Sequence, residues 1–219
     1  MENLQELIIN NIKPLDSKDK IVRAQDLFLD LSYTHFPVIE NDVYIGCITK
    51  EDAETLNSTS LIGDDKYNFE RFYVKTSMTW LDILEEFAKH ETNIIPVLDN
   101  QNNYVGYYEL NDFIHIFNET PFLREEGGIL VVEKEGNDFS MSQIAQIVES
   151  NNAKILGLFI SKIENKNTEI TLKISLGGLN EIIQTFRRFE YKIISQHQED
   201  SYIKNLKERS DYLDKYLNI

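Results

Sequence analysis

Cysteine is nearly absent from this chain of 219 residues. Cys47 stands alone, which excludes an internal disulfide and a multi-cysteine metal site. It lies in the apolar stretch YIGCI with no base beside it, where a buried structural thiol is the expected role. Positive charge is also scarce. The chain has 22 Lys and Arg against 37 Asp and Glu, a formal net charge of −15, and such a surface repels polyanions and lacks the basic stripe that a phosphate backbone requires. Nucleic acid and membrane are therefore not expected as partners. No run of about 18 apolar residues occurs, and the start MENLQELIINN has acidic and polar residues where a signal peptide carries basic and apolar ones. The expected location is the cytoplasm.

Catalytic signatures are missing as well. The sequence has no GxxxxGK[ST], GxGxxG, GxSxG or HExxH. Its four histidines, His35, His90, His115 and His197, are scattered without a metal-spaced His or Cys partner. Neither an enzyme nor a required cofactor or metal is expected.

What is present is a core and a repeat. At 42% hydrophobic and 11% aromatic residues, most of the chain can bury enough apolar surface to fold. Two segments, DSKDKIVRAQDLFLDLSYTHFPVIENDVYIGCITKEDAETL and KTSMTWLDILEEFAKHETNIIPVLDNQNNYVGYYELNDFIHIF, share one pattern at a period of about 60 residues. Each reads as helix, strand, turn, strand, helix. In the first, Asp16 or Ser17 is expected to cap a helix bearing Ile21, Ala24, Leu27, Phe28 and Leu31. In the second, Thr79 caps a helix bearing Trp80, Ile83, Leu84 and Phe87. Short apolar strands FPVI (36–39) and IIPVL (94–98) follow, each with a proline where no ladder donor is needed. Gly46 and Gly106 sit in the returning strands, and Asp52 and Asp112 each stand six residues further on, opening a last helix.

These matched features resemble a tandem pair of cystathionine-β-synthase-type (CBS) repeats over residues 1–120, with repeat 1 at about 12–57 and repeat 2 at about 72–118. The resemblance implies two repeats about a pseudo-twofold axis, with clefts that bind adenosine-containing ligands such as ATP, ADP, AMP or S-adenosylmethionine. The family's ribose signature, a Ser or Thr three residues before an Asp, is matched by Thr49 and Asp52. A carboxylate at a helix start can accept from both ribose hydroxyls. By the same resemblance Lys13, Tyr33, Thr34 and Pro37 join Thr49 and Asp52 as the nucleotide-binding set. Repeat 2 departs from the pattern, with Glu109 in the hydroxyl position ahead of Asp112. A carboxylate there repels phosphate, so the second site is expected to be degenerate. Thr49 and Asp52 also read as a plain helix cap.

The second half changes pattern after a linker at 121–127. A strand at 128–135, a helix at 140–150, strands KILGLFISKIE and NTEITLKISL, a helix near 179–189 and a strand YKIISQ give a β-α-β-β-α-β order over 128–197. The fold class expected is thus α+β: tandem CBS repeats, a ferredoxin-like domain and a C-terminal helical tail over 198–219. A CBS pair followed by this order is similar to the acetoin-utilisation type of protein, whose last domain is an ACT domain. That implies pairing of subunits, and an amino-acid site near the loop after the first strand. The loop here, Glu135-Gly136-Asn137-Asp138-Phe139, lacks the usual Asp-x-Pro-Gly, so dimerisation is the simpler expectation for this domain. The overall expectation is a non-enzymatic regulator that forms a homodimer and acts on an unknown protein target. Two alternatives stand beside it, a constitutive scaffold with vestigial clefts and an amino-acid sensor.

Overall fold

A computed structural model describes residues 4–195 of the chain except Asn137. The expected tail over 198–219 lies outside the described residues, as do Gln196 and His197. The chain is mixed α+β and divides into two compact units, Met1–Phe117 and Asn118–Ile219.

The first unit contains two copies of one small architecture. Strands β1 (Leu15–Asp16), β2 (His35–Glu40) and β3 (Val43–Thr49) form one sheet, and β4 (Val74–Lys75), β5 (Ile94–Leu98) and β6 (Tyr104–Glu109) form the other. In each, the first strand runs parallel to the second and the third antiparallel. Helices α1 (Ile21–Asp30) and α2 (Lys50–Thr55) belong to the first copy, α3 (Trp80–Lys89) and α4 (Leu110–Asn118) to the second. Each copy has its own core, centred on Phe28, Phe36 and Ile48 in repeat 1 and on Phe87, Val97 and Tyr108 in repeat 2.

The lead-in segments are exchanged between copies. Ile9, ahead of repeat 1, pairs with Tyr107 in β6, through Ile9 N–H to Tyr107 C=O and Tyr107 N–H to Ile9 C=O, both 2.9 Å. Glu70, ahead of repeat 2, pairs in the same way with Cys47 in β3. This explains the prolines. Pro37 and Pro96 face Cys47 and Tyr107 in the hairpin registers, and those two residues turn their backbone groups outward to the exchanged segments, so the missing proline N–H leaves nothing unpaired. It also explains Gly46 and Gly106, at φ 144° and 152°. A Cβ on Gly106 would lie 2.4 Å from the Ile9 carbonyl oxygen, and one on Gly46 2.8 Å from Phe69 Cβ.

Helix α3 starts as the sequence suggests. Thr79 accepts from Asp82 N–H while the Asp82 carboxylate accepts from Thr79 N–H, a capping box. Helix α1 does not. Its N-cap is Lys20, with no side-chain cap, because Asp16 belongs to β1 and its carboxylate accepts from Lys18 N–H in the following turn. Short parallel strands such as β1 carry too few residues to show an alternation in sequence.

In the second unit, β7 (Gly127–Glu135), α6 (Met141–Ser150), β8 (Ile155–Glu164), β9 (Asn167–Ser175), α7 (Leu179–Arg188) and β10 (Lys192–Ile193) follow one another, with the short helix α5 (Pro121–Arg124) inside the segment expected to be linker. The sheet order is β10-β7-β9-β8, antiparallel throughout. Alternate residues Leu130 and Val132 of β7 and Ile170, Leu172 and Ile174 of β9 are buried against Ile147 of α6 and Phe186 of α7. The β8–β9 turn is Asn165-Lys166, both at positive φ, the backbone that a two-residue hairpin loop demands.

Candidate functional site

Thr49 ends β3 and caps α2. Its hydroxyl accepts from Asp52 N–H at 3.0 Å and donates to Asp52 Oδ2 at 2.8 Å. Asp52 is therefore held at the third position of the helix by the residue three before it. Its Oδ1 makes no hydrogen bond among the described residues, which leaves one carboxylate oxygen as a fixed acceptor beside the start of α2.

His35 stands opposite Thr49 in the β2–β3 ladder and is 6% exposed. Its Nδ1 lies 2.8 Å from Thr34 Oγ1 and its Nε2 3.5 Å from Glu70 Oε2. Burial pulls the imidazole below its ordinary pKa of 6.5, and the Glu70 carboxylate pulls the other way. The ring meets Phe72 edge-on at 5.3 Å, and Phe72 stacks on His90 at 4.4 Å. The first cleft thus gathers Thr49, Asp52 and His35 from repeat 1 with Glu70, Phe72 and His90 from the far side.

The second cleft is built differently. Glu109 occupies the place of Thr49 and faces Ile94. Its Oε1 accepts from the Tyr33 hydroxyl at 2.5 Å. Tyr33 also lies edge-on to Tyr107 at 5.9 Å, and the Tyr107 hydroxyl donates to Asn11 Oδ1 at 2.6 Å. Burial first, then the bond to Glu109, hold the Tyr33 phenol above its ordinary pKa. Asp112 is also raised, by burial and then by the Glu109 charge.

Of the residues expected to share one nucleotide site, only Thr49 and Asp52 are joined by direct bonds. Tyr33 reaches across to Glu109. Thr34 directs its hydroxyl to His35, Thr92 and Asn93. Pro37 is buried in β2 opposite Cys47, a core position. Lys13 is exposed and makes no ion pair or hydrogen bond among the described residues. His35, Glu70 and His90 lie far apart in the chain, and no local spacing joins them. The register set by the turn Asn41-Asp42, both at positive φ, was the signal that could have placed His35 beside Thr49. Among the described residues no three His, Cys, Asp or Glu side chains are grouped to hold a metal ion, and no helix is long and apolar enough to cross a membrane.

Two copies of a strand-paired half, each opening a helix beside a cleft, define a repeat module. Residues 69–119, the second copy, match the CBS domain family. The chain is 23% identical over 172 residues to inosine-5'-monophosphate dehydrogenase of Thermoplasma acidophilum, a match that covers 77% of this chain and 34% of that protein. It therefore spans about a third of that relative's length. Among solved structures it is similar to a CBS domain pair/ACT domain protein from Thermotoga maritima, at 18% identity and TM-score 0.48 over 53% of this chain and 97% of that one. It is also similar to CBSX2 in complex with AMP, at 15% identity and TM-score 0.45 over 52% of this chain and 95% of the other.

Proposed function

We propose that residues 1–120 act as a CBS pair that binds one adenosyl ligand, such as AMP, ADP, ATP or S-adenosylmethionine, in the first cleft, and that the chain is a non-enzymatic cytoplasmic regulator. The observation that carries this reading is the Thr49–Asp52 unit, with one carboxylate oxygen tied down and the other open. A ribose offers two adjacent hydroxyl donors to such an acceptor. In this reading the second cleft, where Glu109 is taken up by the Tyr33 hydroxyl, takes no ligand. Residues 128–197, with sheet order β10-β7-β9-β8, serve as an ACT-like, ferredoxin-like domain. Homodimerisation is part of the proposal. Strand β8 lies at the sheet edge with Phe159 and Ile163 exposed, and an apolar edge strand is a ready pairing surface.

The experiment is a thermal-shift titration of wild type and Asp52→Asn with ATP, ADP, AMP, S-adenosylmethionine and adenosine. Asp52→Asn keeps the Thr49 cap and removes the charge. A ligand that binds only the folded state stabilises it by about 2.7 kcal/mol at 100 times its Kd. Stabilisation by one of these ligands in wild type and its loss in the variant is the expected result. No stabilisation by any of them overturns the reading in favour of a constitutive scaffold.

A second reading, an amino-acid sensor, is favoured by one feature of the second unit. A cavity of about 780 Å³ opens beside the loop after β7, lined by Lys134, Asp138, Lys166 and Arg188 among others. That mixture of cations with the carboxylates Glu135, Asp138 and Glu190 suits a zwitterion. An amino-acid panel that leaves the melting temperature unchanged removes it.

A further inference from the structure

The joint between the two repeats lies beside the first cleft. Thr34 and Asn93 occupy equivalent places, immediately before β2 and β5. The Thr34 carbonyl accepts from Lys50 N–H at the start of α2, and the Asn93 carbonyl from Leu110 N–H at the start of α4, both at 3.0 Å. The two residues also bond each other. Thr34 N–H donates to Asn93 Oδ1 at 3.0 Å, and Asn93 N–H donates to Thr34 Oγ1 at 3.3 Å. The Thr34 hydroxyl has three possible acceptors for its single hydrogen: His35 Nδ1 at 2.8 Å, Thr92 Oγ1 at 3.2 Å and Asn93 Oδ1 at 3.2 Å.

The charge state of His35 decides among them. A carboxylate only accepts, so with Glu70 facing Nε2 the neutral ring keeps its proton on Nε2 and leaves Nδ1 as an acceptor. Thr34 then donates to His35. Once protonated, the ring donates from both nitrogens, and the Thr34 hydrogen must turn to Thr92 or Asn93. We propose that His35 is a proton-operated switch in the inter-repeat joint: protonation at Nδ1 reverses the His35–Thr34 hydrogen bond and redirects the Thr34 hydroxyl to repeat 2, changing how the start of α4 is held against the start of α2.

The groups facing the ring are Glu70 from the exchanged segment, Asp52 from α2 and His90 at the end of α3. The two carboxylates favour the proton. His90 opposes it, and burial opposes it most, so the switch operates below 6.5. The unfolded chain takes the proton first, so folding stability is present above 6.5 and is lost as pH falls through the folded value. The device needs no ligand and stands apart from the nucleotide reading.

The test is a pH titration of the isotopically labelled full chain by NMR, without ligand, from pH 7.5 to 5, following the His35 ring and the amides of Asn93 and Leu110. The expected result is a common midpoint for all three. In Thr34→Val the ring still titrates but the two amides stop following it, and Thr34→Ser restores the coupling. A wild-type ring that stays neutral throughout, amides that ignore its titration, or amides that follow it equally in Thr34→Val would each overturn the proposal. Should Thr34→Val fail to fold, His35→Gln decides: a pH-dependent Asn93 shift with the same midpoint in that variant refutes the switch.

Discussion

Repeat 1 and repeat 2 share strand order, register, proline positions and exchanged lead-in segments, yet their clefts have opposite chemistry. In repeat 1 the last residue of the returning strand is Thr49, which holds Asp52 and leaves an acceptor free. In repeat 2 it is Glu109, already satisfied by a phenol from the other repeat. The residues opposite the prolines differ too. Cys47 is small and buried, whereas Tyr107 extends to Asn11 and fills space beside Tyr33. The same scaffold therefore carries different side chains at equivalent positions of its two halves.

The strongest way to sharpen the comparison is through the glycines that let the exchanged segments approach. Gly106→Ala places a Cβ 2.4 Å from the Ile9 carbonyl oxygen, and Gly46→Ala places one 2.8 Å from Phe69 Cβ and 3.1 Å from the Glu70 carbonyl oxygen. With unfavourable φ and overpacking combined, Gly106→Ala is expected to lose about 3 kcal/mol in denaturant unfolding, and Gly46→Ala less. Equal losses would show that the two exchanges are equally tight. Next come the helix starts. Thr79→Ala removes a capping box and is expected to cost about 1 kcal/mol, while Lys20→Ser supplies the cap that α1 lacks and is expected to add stability of similar size or less. Unchanged melting midpoints for both would break this part of the contrast.

The smallest effect is electrostatic. Burial first, then the Glu109 charge, raise the Asp112 carboxyl above its ordinary pKa of 3.8, so its charged form is disfavoured by folding. The sign follows from linkage: stability from this group is complete below 3.8 and is lost as pH rises through the folded value. Asp112→Asn should therefore raise the melting midpoint slightly at pH 7, with the gain vanishing in acid. A variant less stable than wild type at pH 7 would count against crowding of charge in the second cleft.

Much of the first unit was legible in sequence because its signals are local. Short apolar runs with a proline marked β2 and β5, Thr79 ahead of an apolar helical face marked the start of α3, and the Gly-to-Asp offset marked both cleft helices. Strands β1 and β4, two residues each, were not legible, since a dipeptide carries no period. The Thr49–Asp52 pair could be found because cap and carboxylate are three residues apart. Tyr33 and Glu109 are 76 residues apart, and no local pattern announces their bond.

The sequence by itself determined the repeat, the single cysteine, the lack of the catalytic motifs sought, the acidic balance, the Thr49–Asp52 cap and the presence of a carboxylate at Glu109. Those follow from composition and short-range spacing, which the chain carries wherever it folds. Only the tertiary structure decided that the lead-in segments exchange partners, that Tyr33 bonds Glu109, and that His35 sits between Thr34 and Glu70. Those depend on which distant backbones are brought within hydrogen-bond reach, and burial then fixes the protonation and partners of the side chains caught between them.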